Sequence, residues 1–220
     1  LRDAVFAAIP GETIDFSVVG LISLDDMLGE IVIDKSITID GGKQITIDAG
    51  NGTDRIFATF DGHRIFNIDD GNTGTDIDVT LSGLTLIGGD PDDSQPNYDG
   101  GAILNREFLT ITGSTISGNA SGDGRGVFNY SGTVDVTNSV IDANVSGSGA
   151  GIMNHQGALA VIDSTISGNR ASTRGGGIYN RDGGTASVSG TTVIGNSSSY
   201  NSGGGISNSD SGTLTVTDST

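Results

Sequence analysis

One pattern returns five times in the second half of this chain. It opens Ala102-Ile103-Leu104-Asn105, then Gly126-Val127-Phe128-Asn129, Gly151-Ile152-Met153-Asn154, Gly177-Ile178-Tyr179-Asn180 and Gly205-Ile206-Ser207-Asn208. The closing asparagines are 24, 25, 26 and 28 residues apart. A period of this size marks a stacked-repeat architecture, in which each unit buries its apolar residues only against its neighbours.

Each repeat continues with two more apolar-x-apolar segments. The second reads Leu109-Thr110-Ile111, Val134-Asp135-Val136, Leu159-Ala160-Val161, Ala186-Ser187-Val188 and Leu214-Thr215-Val216. The third reads Thr115-Ile116-Ser117, Val140-Ile141-Asp142, Thr165-Ile166-Ser167 and Thr192-Val193-Ile194. Alternation over three to five residues is a strand signal, and no window keeps a helical period. Three short strands per coil of about 25 residues predict an all-β fold: a right-handed parallel β-helix with three faces. Inward columns should be Ile103 to Ile206, Ile111 to Val216, and Ile116 to Val193.

The corners carry their own signal. Gly113, Asn138, Asp163, Gly190 and Asp218 join the second and third strands, and these residue types tolerate positive φ. Asn119, Asn144, Asn169 and Asn196 close the third strand. Stacked asparagines can bond side chain to side chain along the axis, so this column is read as a structural ladder. The alternative is that these asparagines merely fill left-handed corners. The Asn105 to Asn208 column has the same character. Three of the four Asn-x-Ser/Thr sequons, at Asn119, Asn144 and Asn196, fall in the inward column, and the fourth is at Asn51.

The repeat weakens upstream but persists in Ile37-Thr38-Ile39, Ile45-Thr46-Ile47, Ile65-Phe66-Asn67-Ile68 and Val79 to Leu86. The domain reading is one β-helix over 1–220. It comprises an amphipathic cap over 1–12, irregular acidic coils over 13–99 with an insertion at 90–99, and regular repeats over 100–220. The chain lacks an initiator Met, so a segment is expected before Leu1, and it breaks off in mid-repeat, so the natural polypeptide is expected to extend beyond Thr220.

The opening Leu1-Arg2-Asp3-Ala4-Val5 resembles the Leu-Arg-Glu-Ala-Ile start of bacterial secreted β-helix proteins with a CSLREA-type N-terminal segment. The runs Ser164-Thr165-Ile166-Ser167-Gly168-Asn169 and Gly175-Gly176-Gly177-Ile178-Tyr179-Asn180 resemble their repeats, and those of polymorphic outer-membrane proteins. Asp3 stands where that family has Glu, and the preceding Cys-Ser is not in this sequence. The resemblance implies the β-helix fold and a secreted or cell-surface address. It implies no particular activity.

Charge narrows the partners. With 10 basic and 27 acidic residues the formal charge is −17, which disfavours nucleic acid and anionic membranes. Residues 1–99 hold 19 of the acids. No stretch is apolar and long enough to span a bilayer, and there is no Cys for disulfides or thiolate sites. Asp90, Asp92, Asp93 and Asp99 cluster in the insertion. They are candidate calcium ligands without EF-hand or nonapeptide spacing. Otherwise no cofactor is expected.

Catalysis on polysaccharide needs paired carboxylates, or a basic residue beside bound calcium. The outward column Thr110, Asp135, Ala160, Ser187, Thr215 holds no two acids on adjacent coils, and neither does the third-strand face. That face is also interrupted by Val140, Asp142 and Ile194, against a regular ice-type Thr array. Arg125, Arg170 and Arg174 share one turn and could meet an anion, while His63 and His155 read as isolated surface or turn residues. The expectation is a secreted or surface structural or adhesive solenoid, not an enzyme, that self-associates or meets other surface proteins or polysaccharide. Polysaccharide binding or cleavage is the alternative.

Overall fold

The computed structural model describes residues 1–25, 28–50, 62–72, 74–91, 100–124, 126–200 and 202–220. The chain is a parallel β-helix of about seven stacked coils. One sheet collects the Ile-x-Asn strands: Ile31–Ile33, Phe66–Ile68, Ile103–Asn105, Val127–Tyr130, Ile152–His155, Ile178–Arg181 and Ile206–Asn208. A larger sheet carries the second and third strands of every coil. In the first coil these are Thr13–Asp15 and Gly20–Ser23, and in the next two they are single long strands, Ile37–Asp48 and Asp78–Ile87, bent at Gly42 and Gly83. Downstream they separate into pairs such as Thr133–Thr137 and Val140–Asp142.

Pairing is parallel and in register throughout the regular coils: Ile103, Val127, Ile152, Ile178 and Ile206 are successive partners. A fourth short strand, which the sequence reading left as turn, follows each Asn corner. Ala120–Asp123, Val145–Ser148, Arg170–Ala171 and Ser197–Ser198 form their own four-stranded sheet.

The inward columns form one apolar core. Ile103, Ile111, Ile116, Val136, Ile141, Ile152, Ile166 and Val188 are all fully buried, each burial stabilising by about 1.5–3 kcal/mol. Val216 departs from the expected column, with 48% of its surface exposed. A residue in such a column is covered by the coils on both sides, and Val216 has a strand on one side only. The x position of Ile-x-Asn holds a second apolar cluster that the repeat pattern did not announce: Leu104, Phe128, Met153 and Tyr179. They point away from the main core, and the glycine turns at Gly124, Gly149 and Gly175 close over them.

The N-terminal cap is the helix Arg2–Ala7, with Val5 buried and Ala8 at the core edge. Ala4 is exposed. Arg2 donates to the carbonyls of Gly29 and Glu30.

Three polar ladders run along the axis. In the first, each Nδ2 donates to the next coil's Oδ1: Asn119 to Asn144 (3.0 Å), Asn144 to Asn169 (3.0 Å) and Asn169 to Asn196 (2.9 Å). The same Oδ1 atoms accept the backbone N–H of the preceding asparagine. These asparagines do not occupy the left-handed corners; the residues before them do, Gly118, Ala143, Gly168 and Gly195, at φ 64, 54, 61 and 66. The second ladder links Asn105, Asn129, Asn154, Asn180 and Asn208 at 2.9, 2.7, 2.7 and 2.6 Å. Its amides press on the following turn so closely that a Cβ on Gly157 would lie 2.3 Å from Asn129 Nδ2. The third is made of hydroxyls. The backbone N–H groups of Ser114, Ser139, Ser164 and Thr191 donate to Oγ of Ser139, Ser164, Thr191 and Ser219 one coil on.

The corners joining the second and third strands have positive φ, at 56 for Gly113, 50 for Asn138, 49 for Asp163, 58 for Gly190 and 50 for Asp218. Asn119 and Asn144 are fully used inside the fold, so neither sequon is open to glycosylation once the chain has folded.

Two stability outcomes follow. Ala143 is the one non-glycine in its column of four left-handed residues. An L side chain there costs about 1–2 kcal/mol, offset by the backbone entropy that glycine loses. Ala143→Gly should therefore stabilise by about 0.5–1 kcal/mol in denaturant melts. Deleting residues 139–163 removes one coil and rejoins Asn138 to Ser164, which keeps every ladder and column in register. That variant should fold to a shorter rod with an unchanged circular dichroism band shape; a collapse to an unfolded spectrum would contradict nearest-neighbour stacking.

Candidate functional site

The rim where the Ile-x-Asn strands turn into the second strands gathers most of the side-chain chemistry. Ile68 pairs with Asn105, Asn105 with Asn129, Tyr130 with His155, and His155 with Arg181. Counting one residue on from the Asn ladder therefore stacks Asp69, Arg106, Tyr130, His155 and Arg181 along the axis. Arg106 Nη1 lies 3.1 Å from Asp69 Oδ2. Its guanidinium sits 5.5 Å from the Tyr130 ring centroid, and the His155 ring lies against Tyr130 at 5.0 Å and 13°. Phe128 meets both rings edge-on. His155 Nδ1 is 3.3 Å from Asp182 Oδ2, and Asp182 also accepts a hydrogen bond from Arg181 Nε.

Beside this stack is a groove of about 500 Å³ lined by Asp69, Gly71, Asn72, Asp76, Arg106, Glu107, Tyr130 and Ser131. Asp69, Asp70 and Glu107 bring carboxylate oxygens within 4.8 Å of one another. The sequence reading looked for acids on the strand faces and missed this set. Its signal was present in the register, since Ile68 opposite Asn105 puts Asp69-Asp70 against Arg106-Glu107.

Glu107 explains the local geometry. Its Oε1 accepts the N–H of Asp70 at 3.3 Å and its Oε2 that of Ile77 at 3.1 Å. The carboxylate thereby clasps the loop after Ile68. Burial pushes its pKa above the ordinary glutamate value; the two amide bonds work against that, and Asp70 and Asp69 reinforce it. The triad could in principle hold a cation, but both Glu107 oxygens already have amide partners.

His155 is not isolated, as the sequence suggested, but part of the stack. Burial lowers its pKa most, Arg181 lowers it further, and Asp182 opposes both. The Arg181 hydrogen bond is the largest influence holding the Asp182 carboxyl low. His63, read as a surface residue, is buried, with Nδ1 2.9 Å from the Arg64 carbonyl.

The three turn arginines do not converge among the described residues. Arg125 lies outside them, Arg170 is exposed on the four-stranded sheet, and Arg174 donates to the Tyr179 hydroxyl at 3.0 Å. Of the calcium candidates, Asp92, Asp93 and Asp99 lie outside the described residues; Asp90 is half-buried at the start of the insertion. Asp135 stands exposed on the second-strand face between Thr110 and Ala160.

A Glu107→Gln variant tests the clasp. The raised pKa means that the folded state holds this proton more tightly than the unfolded chain does. Glu107's contribution is then present below the ordinary value of 4.5 and lost as pH rises through the folded value. The variant should flatten that decline in denaturation midpoints, while losing one of the two amide bonds, since a side-chain NH₂ cannot accept.

No protein-family model, curated protein or solved structure matches the chain.

Proposed function

We propose that this chain is a secreted or cell-surface solenoid with a structural and adhesive role, which contacts polysaccharide through the rim groove beside Arg106 and Tyr130. The observation that carries this reading is the groove itself, about 500 Å³ with carboxylate, amide, hydroxyl, guanidinium and phenol groups around one opening. Tyr130 keeps 40% of its surface exposed there. A few convergent polar groups with an aromatic edge suit a hydroxyl-rich ligand. The secreted address rests on the resemblance of Leu1 to Val5 and of the repeats to secreted β-helix proteins.

Binding without cleavage is the favoured form. Glycoside hydrolysis needs one carboxyl free to give a proton and another free to attack or to activate water. Here Glu107 is engaged by two backbone amides and Asp69 by Arg106. The charge of −17 disfavours polyanions, so neutral glycans are preferred over uronic-acid polymers. Contact between copies is also part of the reading. Residues 100–220 carry 8 acids against 5 bases, compared with 19 against 5 in residues 1–99. Association should therefore run through the near-neutral half and strengthen with salt.

The test is calorimetric titration with neutral oligosaccharides and with polygalacturonate, alongside assays for reducing or unsaturated ends. A neutral oligosaccharide should bind, and Tyr130→Ala and Arg106→Ala should each weaken it about tenfold, or about 1.4 kcal/mol. Binding that ignores both substitutions would remove the groove from the reading. Product release abolished by Asp69→Asn or Glu107→Gln would make the protein an enzyme.

A further inference from the structure

The rim stack contains one group that changes charge near neutral pH. We propose that His155 makes the rim pH-responsive: on gaining a proton its imidazole, stacked on Tyr130 and already beside Asp182, binds that carboxylate and draws it from Arg181.

The imidazole touches two unlike environments at once. On the side of the preceding coil, the neutral ring lies flat on Tyr130 at 5.0 Å, with Phe128 edge-on at 6.4 Å. The opposite face of Tyr130 already carries the Arg106 guanidinium. A second cation on this ring would sit in a half-buried place with little water. On the side of the following coil stand Arg181 and Asp182. Arg181 repels an imidazolium, whereas Asp182, 3.3 Å from Nδ1, attracts it. Burial and Arg181 both resist protonation in the stacked position. A protonated ring in this place has its counter-ion at hand in Asp182, which offsets part of the burial cost. It then competes with Arg181 for that carboxylate.

The consequence is local. Protonation sets a charge against one face of Tyr130 at the lip of the groove and loosens the Arg181–Asp182 pair one coil further on. Because the folded state resists the proton, the stability of the stacked form is present above the ordinary imidazole value of 6.5 and lost as pH falls below it. The inference goes beyond saccharide binding and does not depend on it: a chain that binds no glycan would still show the transition.

Nuclear magnetic resonance on the labelled chain tests it. The His155 ring, assigned by its loss in His155→Gln, should titrate with a midpoint below the ordinary value. The Tyr130 ring signals should shift with the same midpoint, and this shift should vanish in His155→Gln. Asp182→Asn removes the attracting charge and should lower the midpoint further. Tyr130 signals that stay fixed through the His155 transition would overturn the proposal, as would a midpoint at or above the ordinary value. The circular dichroism of both variants should match the parent, because His155 and Asp182 lie on the rim and not in the apolar core.

Discussion

A buried primary amide must find partners for two N–H groups and one carbonyl, and in this chain the partner is another copy of itself one coil away. That demand governs the rest of the architecture. Leaving a buried donor or acceptor unpaired costs about 1–3 kcal/mol, so two asparagine columns cannot drift out of step without multiple losses. Coil length is therefore free to vary only where it does not shift the ladders. The spacings of 24 to 28 residues are absorbed in turns, while Asn, Ile and Ser or Thr stay in line. The apolar columns supply most of the stabilisation, but side chains that fit many ways cannot by themselves fix register. The amides can.

Much of this was legible before any coordinates, because repetition multiplies weak signals. One Ile-x-Asn is nothing; five at near-constant spacing place a strand, a face and a column. The corners were readable for a similar reason, since Gly, Asn and Asp alternate at one position where only positive φ unites them. What stayed hidden was whatever does not repeat in chemistry. Leu104, Phe128, Met153 and Tyr179 share only bulk, and nothing in the pattern says that a second layer covers them. The fourth strand reads Ala-Ser-Gly, Val-Ser-Gly, Arg-Ala and Ser-Ser, a composition typical of turns. Its strand character comes from pairing with its neighbours, not from propensity.

The rim was hidden in another way. Asp69, Arg106, Tyr130, His155 and Arg181 have no common residue type, and each looks accidental within its own repeat. They become a unit only once Ile68 is set opposite Asn105, which required knowing that Ile68 occupies a ladder position without being an asparagine. Uniform positions in a solenoid build the body, and the variable positions beside them carry what distinguishes one such body from another.

The ladders also have a sense of direction. In both columns every Nδ2 faces the following coil and every Oδ1 the preceding one. Parallel strands contribute little net dipole, so these aligned amides form side-chain dipoles along the axis, positive towards the C-terminal coil. Reversing a single amide would set two oxygens face to face on one side and two NH₂ groups on the other. Such a fault is a pair of walls between oppositely magnetised domains. Turning a neighbouring amide only moves one wall a coil further along, so a segment of reversed amides heals only when its two walls meet or run out at an end of the column. Each asparagine therefore constrains the orientation of others several coils away that it never touches.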